Sequence, residues 1–190
     1  MTVQSKEKIM NREEALNLVK SKIKNKNLIK HMLAVEAIMR RLAEYFNDDT
    51  ELWSLTGLLH DLDYDSTVND FANHGILTTE WLKEYNLDEK LLYAIKAHPK
   101  HVPATSELDW ALFATDPLSG LIVAAALMHP TKKIKNVTPE FVLNRFKEKR
   151  FADGASREDI KECEKMGLTL EKFVELALEG MQRIDADLEL

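Results

Sequence analysis

The stretch G-L-L-H-D-L-D-Y-D, Gly57 to Asp65, decides how the rest of the chain is read. Leu52, Leu55, Leu58 and Leu59 recur at helical spacing and run straight into a histidine and alternating carboxylates. Burying such groups is costly unless each finds a partner or a cation. A helix that ends on His60 and Asp61 therefore poses the question of which other side chains meet it there.

Helical periodicity extends outward from this segment in both directions. Asn11 with Glu14 has the form of a capping box opening a helix to about Lys24. Leu28, Met32, Val35, Met39 and Leu42 predict a long amphipathic helix over 27–46, and Asp49 or Thr50 caps the helix that carries Gly57, ending near Leu62. Residues 63–72 lack periodicity and read as a polar loop. Further helices are expected over about 73–85 and from Asp88 to Pro99. Ser106 and Asp109 start another, to about Thr115, with Pro117 as a break or kink before a helix to Met128. Thr138-Pro139-Glu140 is a start signal for a helix to about Lys149. Ser156 and Thr169 cap helices over 157–166 and 170–184. No strand pattern with hairpin signals is present, so the expected class is all-α. The expected organisation is a single domain, 1–190, with a core at about 27–120 and a helical C-terminal extension at about 138–190.

An apolar fraction of 45% and a charged fraction of 31% are those of an ordinary globular domain. Met1 to Lys30 has no apolar leader core, and Leu118 to Met128 is too short a run to span a bilayer. With Cys163 as the single cysteine there is no internal disulfide, and a cytoplasmic location is expected. Cys163 sits in K-E-C-E-K, which is poor surroundings for a reactive thiol. The net charge of −6 gives no general attraction to a nucleic acid polymer. Its distribution is uneven. Residues 1–46 hold ten basic and five acidic groups (+5), residues 47–116 four and fourteen (−10), residues 117–150 seven and two (+5). An acidic middle that holds most of the histidines suits a cation, and basic segments beside it suit an anionic substrate.

Six histidines are present, and five fall between His31 and His101. In order, His31, His60-Asp61, His74, His98 and Asp116 make a nitrogen and oxygen donor set without sulfur, suited to iron, manganese or zinc. Such a set is large enough for two divalent ions if a carboxylate bridges them, and two ions can hold the attacking and leaving oxygens of a phosphoryl transfer. His60 and Asp61 lie about 100° apart around a helix, so both can border one pocket.

This constellation resembles the HD superfamily of metal-dependent phosphohydrolases, over roughly 27–120, with the pattern H…HD…D at His31, His60-Asp61 and Asp116. It looks like the subset with two additional histidines, here His74 and His98. Members of that subset include symmetrical diadenosine tetraphosphate hydrolases, cyclic-dinucleotide phosphodiesterases and a few di-iron oxygenases. The resemblance implies an all-α HD-domain helical bundle, one ion among His31, His60, Asp61 and Asp116, and a second held by His74, His98 and a bridging Asp61. The stretch A-T-D-P-L-S-G-L-I-V-A-A-A-L, with F-K-E-K-R-F-A-D-G downstream, is similar to HD-domain proteins known as predicted hydrolases. The G-Y-P signature of the cyclic-dinucleotide group is absent, and its histidine pair is replaced by His98 and His101 across Pro99.

The reaction expected is hydrolysis of a phosphate ester, of a nucleotide or another small phosphorylated metabolite. Asp61 and His60 are the expected catalytic residues, with Asp61 taking a proton from an activated water. Lys96, Lys100 and His101 are the expected phosphate contacts. Asp63 and Asp65 are expected in a solvated turn, with support of the ligands as the alternative. The rival chemistries are a di-iron oxygenase on the same side chains and a non-catalytic nucleotide-binding domain. A membrane is not an expected partner, and a homo-oligomer is open.

Overall fold

The computed structural model describes residues 10–190; the first nine residues of the expected domain and of the leader reading lie outside them. α1 (Arg12–Lys22) opens on the Asn11–Glu14 capping box. α2 (Lys26–Phe46) is the central strut, with Met32, Val35, Ile38, Met39 and Leu42 fully buried along it. Asn47 ends it in the left-handed conformation and turns the chain into α3 (Thr50–Leu59), capped by Asp49. The two helices pack so closely at Gly57 that a Cβ there would lie 2.9 Å from the Val35 carbonyl oxygen and the Glu36 nitrogen. A side chain at that point would push the helix carrying His60 away from the helix carrying His31.

Residues 63–72 depart from the expected polar loop. They form α4 (Tyr64–Thr67) and a single 3-10 turn over Phe71–Asn73, and Asp63 and Thr67 are buried beneath them. α5 (Ile76–Leu82) begins after Gly75, whose φ of 76° lets the chain turn against Pro99. α6 (Glu89–Ala97) delivers His98 at its C-terminal cap.

The expected break at Pro117 is absent. α7 (Glu107–Met128) is one helix with the proline inside it. A mid-helix proline costs about 3 kcal/mol. Leu112, Leu118, Leu121 and Ile122 on either side of it are all fully buried. At roughly 1.5–3 kcal/mol per buried side chain they outweigh that penalty. The helix is long and apolar enough to cross a bilayer; most of its apolar side chains, Leu108 to Ala126, pack in the bundle, while Leu127 and Met128 at its end are exposed.

The chain then forms α8 (Pro139–Lys147), α9 (Arg157–Lys161) continuing into a 3-10 turn over Glu162–Met166, α10 (Leu170–Gln182) and α11 (Asp185–Leu188). These helices share the core of the first seven. α10 lies on α2, with the Gly180 Cβ position 2.7 Å from the Ala37 carbonyl oxygen, while α9 and the following turn pack on α7. One hydrophobic cluster runs from Met10 to Leu188. The fold is all-α, without strands among the described residues. Cys163 is buried in this core, and burial together with Glu164 and Glu171 pushes its thiol up to about 12.

Candidate metal centre

Four helices and one turn bring the six predicted side chains together. α2 supplies His31, the end of α3 supplies His60 and Asp61, and the turn before α5 supplies His74. His98 comes from the end of α6, and Asp116 from the middle of α7. They form two groups with ligand atoms close enough to share a cation: His31, His60, Asp61 and Asp116, and then Asp61, His74 and His98. Asp61 belongs to both. Its Oδ1 lies 3.4 Å from His60 Nε2, 3.3 Å from His74 Nε2 and 3.5 Å from His98 Nε2, and its Oδ2 lies 3.5 Å from His31 Nε2. Asp116 Oδ1 is 3.1 Å from His31 Nε2 and 3.8 Å from His60 Nε2.

The opposite edge of every ring is fixed by an acceptor. His60 Nδ1 faces the Gly57 carbonyl at 2.8 Å and His98 Nδ1 the Ile95 carbonyl at 2.6 Å. His74 Nδ1 faces Asp63 Oδ1 at 2.8 Å. His31 Nδ1 lies 3.0 Å from Ser119 Oγ, whose own hydrogen goes to the Asp116 carbonyl. Each Nδ1 is therefore the N–H donor, and each Nε2 lone pair points inward. His31 and His60 then bring two such nitrogens to 3.3 Å, and His74 and His98 to 3.1 Å. Pairs of acceptors at these distances repel unless a proton or a cation sits with them. Imidazole nitrogens whose far edge is hydrogen-bonded, with carboxylates between them, are the donor set that first-row divalent ions take. The residues present fit a metal ion.

Without a cation the cluster draws in protons. Burial disfavours charge on His31, but Asp116 and Asp61 outweigh it and hold its pKa up at about 10. Burial is likewise outweighed at His74 by Asp61 and Asp63, giving about 9. His98 is lowered, because burial exceeds the pull of Asp61. Burial alone would raise the Asp61 and Asp116 carboxyls. The surrounding imidazoles, His60 foremost for Asp61 and His31 for Asp116, hold both below the usual carboxylate range.

Residues 28–126 match the HD domain family. The chain belongs to that family. HD domains bind divalent metals and make up a superfamily of metal-dependent phosphohydrolases. Ribonuclease Y of Desulfotalea psychrophila is 28% identical over 137 residues, which are 70% of this chain and 26% of that protein. Ribonuclease Y of Sulfurovum sp. is 29% identical over 135 residues, again 70% of this chain and 26% of the relative. An uncharacterised protein of Methanocaldococcus jannaschii is 34% identical over 91 residues, 45% of this chain and 52% of its own. The chain thus spans about a quarter of the Ribonuclease Y relatives and about half of the archaeal one. No solved structure matches it.

In this HD domain the cluster forms the floor of a cavity of about 630 Å³, whose walls include Tyr64, Phe71, Pro99, Lys100 and Asp159. Of the three expected phosphate contacts only Lys100 lines it. Its ammonium is paired with Asp159 at 3.1 Å. His101 is exposed; its Nε2 lies 2.8 Å from the His74 carbonyl, and its side chain lines an adjoining cavity with Trp110. Lys96, half-buried on α6, is not part of the wall. His129 is half-buried beside Thr131, away from the cluster.

Asp63 corrects the solvated-turn reading. Its side chain is fully buried. Besides His74, it accepts the N–H groups of Gly75 and Thr78, both at 2.8 Å on Oδ2. The only signal for it in the sequence is the alternation H-D-L-D, which a solvated turn shares. Asp65 is exposed and accepts the Lys24 N–H at 3.1 Å.

Proposed function

We propose that this HD domain is a hydrolase of phosphate esters that works with two divalent ions, of iron, manganese or zinc, sharing Asp61. One ion is assigned to His31, His60, Asp61 and Asp116, the other to Asp61, His74 and His98. The observation that carries this reading is the position of Asp61 Oδ1, within 3.5 Å of His60, His74 and His98 at once, on the floor of an open cavity. When bound, the ions supply a lowered pKa for water and a counter-charge for the phosphoryl oxygens.

The chain's own groups do the rest. Asp61 Oδ1, lying between the two imidazole groups, orients the attacking water and takes its proton. The water oxygen forms a bond to phosphorus on the face turned to the cluster, the bond from phosphorus to the ester oxygen on the opposite face breaks, that oxygen takes a proton from solvent in the open cavity, and Asp61 returns the proton it accepted to solvent. His60 is fully buried with both nitrogens engaged, so it acts as a fixed ligand beside Asp61. Lys100 exchanges Asp159 for a phosphate oxygen. The cavity has room for a small phosphorylated molecule of nucleotide size. The names of the relatives add RNA phosphodiesters to the substrates that must be compared.

The test is metal analysis followed by hydrolysis assays on nucleotides, sugar phosphates and a short RNA, each with and without oxygen. His60→Ala and Asp61→Ala are expected to lose metal and turnover. Turnover of none of these substrates by the metal-loaded protein, or a product that forms only with oxygen, would overturn the reading.

A further inference from the structure

Tyr64 and Phe71 stand on the wall of the cavity whose floor is the cluster, and none of the chemistry above uses them. Phe71 is 59% exposed and Tyr64 38%. One face of Phe71 lies over His74, with ring centroids 4.9 Å apart and planes inclined by 33°. Tyr64 meets the same imidazole edge-on, at 5.6 Å and 87°. His74 is itself clamped between Asp63 and the cluster, so the Phe71 ring rests on a rigid support with its other face open. Asn25, which also lines the cavity, caps α2 by accepting the Asn27 N–H through Oδ1 and keeps its NH2 group as a donor.

The cavity therefore has two chemistries. Its floor is made of imidazoles and carboxylates, and one wall is aromatic with an amide donor near it. A phosphate alone would meet only the floor. A volume of about 630 Å³ is that of a pocket for a whole small molecule. Flat rings gain most from an open aromatic face, in an offset stack.

Resting on the phosphohydrolase reading, we propose that Phe71 and Tyr64 form a stacking subsite for a planar heterocycle of the nucleoside type, carried by the same molecule whose phosphate meets the cluster. Phe71 positions that ring; it takes no part in bond making. Stacking of this kind tolerates any base, because each has a π face. The subsite therefore selects for the presence of a heterocycle rather than for its identity.

The test uses the full, metal-loaded chain and two probes, adenosine 5′-monophosphate and ribose 5-phosphate, which share the phosphate and sugar and differ in the ring. Calorimetry is expected to show the adenine ligand binding about tenfold tighter in the wild type, the scale of one stacked base. Phe71→Ala should bring that ratio close to one, and Phe71→Trp should keep it. Trp110→Ala, in the adjoining cavity, should leave the ratio as in the wild type. Equal binding of the two probes by the wild type, a ratio kept in Phe71→Ala, or a ratio lost in Trp110→Ala would each overturn the proposal while leaving the phosphate reading intact. A ratio that falls in Phe71→Ala only together with metal content would also overturn it, by making Phe71 a prop for His74. Binding of neither probe would remove the phosphate reading and the subsite with it.

Discussion

Asp63→Asn is the substitution with the most informative outcome, because it alters one proton and almost no volume. Asp63 Oδ2 accepts two backbone N–H groups and Oδ1 accepts the Nδ1–H of His74. An asparagine keeps its oxygen for the two amides, since leaving both buried and unpaired would cost about 1–3 kcal/mol each. Its NH2 group must then face His74 Nδ1. Two donors cannot share that contact, so the imidazole moves its proton to Nε2 and accepts through Nδ1. The lone pair aimed at Asp61 and His98 is then lost. Loss of such an outer partner lowers metal affinity about 10- to 100-fold, or about 1.4–2.7 kcal/mol. The loss should fall on the ion assigned to His74 and His98, leaving the one assigned to His31 and Asp116 in place. Competition against a fluorescent chelator should show one affinity near the wild-type value and one weakened, with the metal-free melting temperature as the control for folding. Two wild-type affinities, or equal weakening of both, would refute the reasoning.

Other consequences can be checked on the same protein. In the metal-free chain His31 and His74 have pKa values of about 10 and 9, above their unfolded value, so their stabilisation is complete below about pH 6.5 and disappears as pH rises through 9 to 10. Melting temperatures of the metal-free protein should fall across that window, and calorimetry at pH 7 in buffers of different ionisation enthalpy should detect about two protons released on metal loading. Gly57→Ala places a Cβ 2.9 Å from the backbone of α2, next to the carbonyl that holds His60, and should cost about 1–3 kcal/mol in chemical denaturation with a loss of bound metal. Ser119→Ala removes the acceptor of His31 Nδ1 and should weaken the ion assigned to His31 and Asp116, measured by the same chelator competition. Arg157 donates to the carbonyls of Phe146, Glu148, Phe151, Ala152 and Ala155. Arg157→Ala should therefore speed proteolysis of the 147–156 segment ahead of global unfolding.

The convergence of the histidines and aspartates is legible because their order along the chain is itself informative. The helices that carry them were equally legible, since caps such as Asn11, Asp49, Thr138 and Thr169 mark their starts in local chemistry. Asp63 reads as a turn residue, with support of the ligands only as the alternative, because its burial depends on donors 12 and 15 residues away, which no periodicity in 63–72 reveals. The break expected at Pro117 fails for a different reason. The local rule against proline is correct, but burial of the leucines and the isoleucine around it is worth more. The contribution of the C-terminal residues was also hidden. Gly154 reaches the cavity on a loop held by the Arg157 guanidinium, and Asp159 on the helix that follows it, through contacts to carbonyls that leave no trace in residue type.

In the proposed centre six side chains from distant parts of the chain share two cations through Asp61. Elemental analysis of the purified chain, combined with electron paramagnetic resonance after manganese loading, measures this directly. About two ions per chain are expected, with a spin-coupled manganese signal and loss of the coupling in Asp61→Ala. A chain that binds no metal, or that keeps a coupled pair after Asp61→Ala, would contradict that centre.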